Sequence, residues 1–298
     1  MDQQQDVYFV PTKSYWPIVG ALVMFVTVFG MAHWFNALNG AESTVLGKTA
    51  FFLGLLGIFG MLFGWFRSVI HESMGGNYND RVDTSFRIGM MWFIFSEVMF
   101  FGAFFGALAY IRLYSIPGLG GSEGHGVLTH QFLWSDYAAS WGAGGGNGPE
   151  NLGGAFETVA PWGLPLLNTV ILLSSSVTIT IAHHALRAGH RGKILVFLGI
   201  TAILGALFVY AQAHEYMEAY HELNLTLHSG VYGSTFFMLT GFHGLHVTLG
   251  TIMLIVIWLR VLRGHFDKDH HFGFEAVAWY WHFVDVVWLL LYVIVYWM

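Results

Sequence analysis

The sequence predicts an all-α integral membrane protein of seven transmembrane helices, and three observations predict it. Apolar types make up 55 % of the 298 residues and charged types only 10 %, with a mean hydropathy of +0.58. A soluble domain carries about 25 % charged residues, so this chain lacks the side chains to cover a wetted surface. The chain also divides into seven stretches of roughly 20 or more mainly apolar residues, the length that crosses ~30 Å of hydrocarbon. Its basic residues, finally, gather in alternate connections between those stretches.

The first span is placed at 16–36, with Tyr15, Trp16 and Trp34 near its ends, where amphipathic rings suit the headgroup layer. The second is placed at 47–70 and the third at 86–114. Gly60 and Gly64 in one, and Gly102 and Gly106 in the other, are spaced by four. That spacing makes a flat strip on which another helix backbone can approach. A connection over 115–163 follows, rich in glycine (Gly118, Gly120, Gly121, Gly144, Gly145 and Gly146 among others), and its composition predicts little regular structure. The remaining spans are placed at 164–184, 194–216, 232–260 and 274–297. Together they predict a single transmembrane domain over 1–298.

Counting charges orients the chain. Lys13, then Arg67, Arg81 and Arg87, then Arg187, Arg191 and Lys193, then Arg260, Arg263 and Lys268 fall on one side, ten of the twelve basic residues. Lys48 and Arg112 fall on the other. Basic loops stay inside, so the N-terminus is expected in the cytoplasm, or its mitochondrial-matrix equivalent, and the C-terminus outside, in the periplasm of a bacterium. Met1 to Pro11 are polar and acidic, without the features of a signal peptide, so the first span is expected in the mature protein. The net charge of −6 sits in connections and points to no nucleic-acid partner. With no cysteine, disulfides, thiolate metal sites and cysteine nucleophiles are excluded.

Few residues inside the spans can carry chemistry. Glu97 lies about eleven residues into the third span, roughly 16 Å from its cytoplasmic end. A lone carboxylate there is costly, so it should be neutral, or paired and turned inward. Two readings stand: a proton-handling or inhibitor-reactive carboxyl, or a protonated acid bonded between helices. His243 and His246 are three apart in the sixth span, as are His282 and Asp285 in the seventh, which puts each pair on one helix face. Glu97, His246, His282 and Asp285 lie at similar depth, ~13 to 21 Å from the cytoplasmic ends. A buried polar cluster among helices three, six and seven is expected, with Glu97 bonded to a histidine.

Metal chemistry fits poorly despite sixteen histidines. The His-Glu pairs at 71, 214 and 221 do not continue as His-Glu-x-x-His. A di-iron carboxylate site needs two Glu-x-x-His motifs, and only Glu218 to His221 is present. His183 and His184 are adjacent, which turns their rings about 100° apart on a helix. No Walker loop or dinucleotide-binding Gly-rich turn occurs. Near the cytoplasmic ends, Arg67 with Glu72 is read as an ion pair or a lipid-headgroup contact, and Arg260 with Arg263 as suited to anionic lipid phosphate.

Taken together, the chain resembles subunit III of the aa3-type haem–copper cytochrome c oxidases. The resemblance runs from Trp16–Leu22 (WPIVGAL) and Trp65–Ser73 (WFRSVIHES), through SEVMFF at 96–101, Pro165–Thr169 (PLLNT) and Ala182–His184 (AHH). It then becomes dense: Gln212–Ala219 (QAHEYMEA), Tyr232–Phe237 (YGSTFF), Gly241–Val247 (GFHGLHV), His270–Ala276 (HHFGFEA) and Trp279–Trp288 (WYWHFVDVVW). It covers nearly the whole chain apart from the Gly-rich connection. That connection is longer than in compact mitochondrial members, which points to a bacterial plasma membrane over a mitochondrial inner membrane.

The resemblance implies two helices splayed from a five-helix bundle, with phospholipids in the V-shaped cleft between them. It implies no redox cofactor in this chain, with haem a, haem a3 and copper carried by partner subunits I and II, and cytochrome c reached through subunit II. The implied roles are to stabilise subunit I, support proton uptake and protect the oxidase from turnover-linked inactivation. Glu97 matches the family's carbodiimide-reactive glutamate, and Arg260, with Trp65 and Arg67, matches positions near bound lipid. Two other readings are weighed against this one. A stand-alone proton-coupled transporter could relay through Glu97, His246 and Asp285, but it lacks the paired broken helices expected of many transporters. The corresponding subunit of a quinol oxidase, or of a nitric-oxide-reductase relative, would differ in an electron donor that other subunits read.

Overall fold

The computed structural model describes residues 8–10, 14–38, 44–122, 126–142, 155–268 and 270–297. Lys13 and Gly144, Gly145 and Gly146 lie outside the described residues. Among those described there is helix and no strand, and seven helical stretches are long and apolar enough to cross a membrane. They are α1 (Trp16–Leu38), α2 (Val45–Met74), α3 (Asp80–Tyr110), α6 (Leu164–Arg187), α7 (Arg191–His221), α8 (Gly230–Leu262) and α9 (Phe272–Leu291). After Tyr110 the third stretch continues as one π-helical turn, Ile111–Ser115, into the short α4 (Ile116–Leu119). The last ends in a second π-helical turn, Tyr292–Trp297. By contacts the chain forms two compact units, residues 1–86 and 87–298.

In the first unit α1 and α2 run antiparallel at close range. A Cβ on Gly30 would overlap the backbone of Phe51, and one on Gly54 would overlap Thr27. Trp16 Nε1 donates to Ser68 Oγ at 3.3 Å at the far end of the same seam. The four-residue glycine spacing pointed elsewhere. A Cβ on Gly60, Gly102 or Gly106 meets nothing within 4 Å among the described residues, and only Gly64 touches a neighbour, the Trp16 ring. Spacing by four gives a flat strip on any helix, but it does not say whether that strip faces protein or lipid.

In the second unit α6, α7, α8 and α9 close into a ring of antiparallel neighbours. The seams are hydrogen-bonded: Thr178 Oγ1 to Thr201 Oγ1 at 2.7 Å between α6 and α7, and Tyr216 to Thr240 at 2.7 Å between α7 and α8. Trp281 sits at the centre. Its indole donates to Ser175 Oγ at 2.8 Å on α6, and its ring fills the space that side chains on Gly205 of α7 and Gly250 of α8 would need. Trp288 repeats the motif two turns on, donating to Thr169 Oγ1 at 2.9 Å. Tryptophan suits this use because it packs a large apolar body and still has one donor to satisfy.

The part of α3 from Arg87 onward lies along α8 and α9 through Phe100 and Phe104 against Phe242, and Phe93 against Tyr280. The described residues of the glycine-rich connection are more regular than its composition predicts. Within it α5 (Val127–Leu133) forms, Glu157 N donates to Leu223 O at 2.9 Å, and buried Phe156 stacks on Tyr232. Apolar and aromatic residues scattered among the glycines supply that anchoring.

Candidate functional site

The geometry centres on Glu97 and His246. Glu97 Oε2 lies 2.9 Å from His246 Nε2, with both side chains largely buried. The other ring nitrogen, Nδ1, lies 2.6 Å from the backbone carbonyl of Phe242, one turn earlier on α8. A carbonyl oxygen only accepts, so Nδ1 carries a proton and donates it there. Nε2 and Glu97 then share the next proton. It sits on the carboxyl and is donated to Nε2, or sits on Nε2 and is donated to a carboxylate. Both arrangements are neutral overall, which is what a low-dielectric interior requires of a buried acid. Phe101 meets the imidazole edge-on at 5.0 Å and Tyr280 stacks on it at 6.4 Å, with its hydroxyl donating to His246 O at 3.3 Å.

The five polar residues expected in one cluster occupy three settings. His243 turns away from Glu97: its Nε2 donates to the Val284 carbonyl at 3.1 Å on α9, and its ring packs on Phe208 and Trp288. His282 faces α6, with Nδ1 2.7 Å from Ser176 Oγ, and Asp285 sits beside it at 3.9 Å. Residues three apart on a helix differ by about 60° in direction. In a bundle that is enough to send two side chains to different neighbours.

Near the N-terminal ends of both helices, Arg87 Nη2 pairs with Glu275 Oε2 at 3.0 Å, tying α3 to the first turn of α9. Sequence reasoning missed this pair, although opposite charges at same-side ends of two spans were the available signal. It also missed Glu215, fully buried on α7, which accepts from Tyr296 Oη at 2.6 Å and from Gln212 Nε2 at 3.2 Å.

The residues assigned to lipid lie at the surface. Trp65 is exposed and stacked on Phe66, and Arg67 is exposed. No Arg67–Glu72 ion pair forms among the described residues; Glu72 accepts instead from Tyr78 Oη at 2.7 Å. A separation of five turns two helical side chains about 140° apart, too far to pair. Burial, and then the bond to Glu72, raise the Tyr78 phenol above its ordinary value. The Arg260 guanidinium lies 4.3 Å over the Phe266 ring, and its Nε is buried without a hydrogen-bond partner among the described residues. Nearby His265 is held below the ordinary histidine range by burial and by Arg260 and Arg263.

No group of three or more His, Asp or Glu side chains among the described residues converges as a metal ion would need. The arrangement defines a polytopic helical membrane protein whose polar side chains brace its helices against one another. Comparison with known proteins gives the class a family. The model of cytochrome c oxidase subunit III matches residues 6–123 and 128–298, including most of the Gly-rich connection. Cytochrome c oxidase subunit 3 of Tragelaphus oryx is 42 % identical over the full chain and 99 % of its own length. Those of Hippopotamus amphibius and Dasypus novemcinctus are each 43 % identical over the same shares. The chain belongs to the cytochrome c oxidase subunit III family, the subunit of a terminal oxidase, and its partners are other subunits of that complex.

Proposed function

We propose that this chain, acting as one transmembrane domain over 1–298, is the non-redox subunit III of a proton-pumping oxidase that reduces O2 to water with electrons from cytochrome c. Its partners in this reading are subunits I and II, which hold haem a, haem a3 and copper. The full-length family match carries the reading, and the bracing role of the polar residues supports it. Glu97 and His246 fix α3 against α8 while keeping a neutral, protonated site in the bilayer. Arg260, and separately Trp65 and Arg67, contact phospholipid headgroups; Trp65 and Arg67 are exposed and Arg260 is half-buried, so each reaches the surface. The chain thereby stabilises subunit I and supports proton uptake on the cytoplasmic side. The distribution of basic residues supports an inward N-terminus. The Gly-rich connection supports a bacterial plasma membrane, which fractionation tests.

Purification of the tagged chain from native membranes tests the reading. Haem-bearing partners should accompany it, with oxygen consumption driven by reduced cytochrome c. Transport activity by the purified chain alone would favour a transporter, and oxidation of quinol in place of cytochrome c would favour the quinol-oxidase relative. Within the purified oxidase, Arg260→Gln should shorten the working lifetime more than it lowers the initial rate. A fall in initial rate with an unaltered lifetime would count against the lipid role.

A further inference from the structure

Where α6 stops and α9 begins, two histidines from different helices meet. His183 lies one turn before Arg187, the last residue of α6, and His271 immediately precedes α9. Their ring centroids are 5.8 Å apart and the ring planes meet at 61°. His271 is 7 % exposed, His183 is half-buried, and Phe274 packs on the His183 ring at 5.7 Å. His183 Nε2 and His271 Nδ1 are both sealed from solvent, and neither has a hydrogen-bond partner among the described residues.

A buried polar nitrogen without a partner is costly. The second nitrogen of each ring is not sealed in this way and can carry the ring proton, which leaves a lone pair on each sealed nitrogen. One N–H···N bond between the rings would satisfy both, and the chain does not form it. A Lewis-acidic cation accepts both lone pairs at once. The spacing agrees. With Zn–N bonds of about 2.0–2.1 Å, two imidazoles on one zinc ion hold their centroids about 5.2 Å apart at a tetrahedral angle and about 6.4 Å apart when opposed. The observed 5.8 Å falls between these. Edge-on aromatic pairing permits the same distance, but it leaves both nitrogens unsatisfied. No third side chain is in place among the described residues, so water, admitted past the half-buried His183, completes the coordination. Glu275 stands one turn beyond His271, its amide bonded to the His271 carbonyl at 3.2 Å, and its carboxylate favours a cation at this end of α9. Arg187, one turn beyond His183, opposes one, so the two nitrogens must supply the selectivity.

We propose that His183 and His271 together bind one exchangeable divalent ion of the zinc class, through His183 Nε2 and His271 Nδ1, with water in the remaining positions. The second imidazole comes from the start of α9 and not from His184, whose ring leaves the helix about 100° away from that of His183.

The test uses the complex purified from native membranes and crystallised, with Zn2+ soaked in at micromolar free concentration. Anomalous difference maps recorded on either side of the zinc absorption edge should show a peak about 2.0–2.1 Å from both His183 Nε2 and His271 Nδ1. In solution, equilibrium dialysis with radiolabelled Zn2+ should find one equivalent fewer on His183→Gln and on His271→Gln than on the unsubstituted complex. His184→Gln, changed at the exposed neighbour, should bind as the unsubstituted complex does. An ordered water between the two nitrogens without anomalous signal would overturn the proposal, as would a peak that fills only at millimolar Zn2+, the mark of an adventitious ion. Undiminished zinc binding by both histidine variants would overturn it as well. The crystallographic result comes from the unsubstituted protein, so it decides the matter even if a variant fails to assemble.

Discussion

The α1–α2 pair and the α6–α9 ring are both antiparallel apolar helices, yet they are held together differently. In its most apolar window α2 buries 6 % of its residues within the chain, and the last spanning helix buries 56 %. The pair relies on backbone proximity at Gly30 and Gly54, with a long side-chain bond between the helices from Trp16 to Ser68. The ring is threaded by tryptophan, threonine, serine, tyrosine and histidine bonds that cross every seam between neighbours or run through its centre. Lipid tails are as apolar as leucine, so burying leucine in a membrane adds little. What distinguishes the native packing there is close fit and satisfied polar groups. The ring has both, and the pair has mainly the first.

Trp281→Ala should give the largest effect, a loss of about 3–5 kcal/mol in detergent unfolding of the bundle. A loss below about 1 kcal/mol would mean that the ring is not centred on this side chain. Gly54→Val should cost about 1–3 kcal/mol by overpacking and should widen the α1–α2 distance seen by paired spin labels. Gly60→Val, at an open position, should leave both readouts within experimental scatter. Equal responses at the two glycines would erase the contrast drawn above.

Much of this was legible in the sequence. Apolar length and the rarity of charge gave seven spans, and a lone carboxylate at mid-depth could be expected to find a histidine at the same level. Which histidine it meets was not legible, because depth follows from counting residues whereas direction follows from the neighbours. His243 and His246 lie at nearly the same depth and differ by 60°, and only the packing of α3 on α8 selects His246. The seams of α1 with α2 escaped for the same reason. The tryptophan at 281 looked like one more aromatic in an aromatic-rich span until the glycines at 205 and 250 were seen facing it.

The Glu97–His246 pair admits a gentler test. Glu97→Gln retains a donor toward Nε2, so stability should change by less than about 1 kcal/mol. The 15N signals of His246 should nonetheless move, while those of His282 stay in place. An unchanged His246 would mean that the two do not share a proton. The smallest effect is expected at Tyr78, outside the spans. Burial and Glu72 raise its phenol, so it should remain protonated through pH ~10, where a free tyrosine ionises. A difference titration against Tyr78→Phe should show no phenolate absorbance lost in that range.

The most direct measurement is a metal and haem analysis of this polypeptide after mild separation from its companions, with its helicity followed in parallel. The account predicts that haem and copper stay with the companions and that the separated chain keeps its helical content without them. Iron or copper found in stoichiometric amount on the separated chain would contradict it.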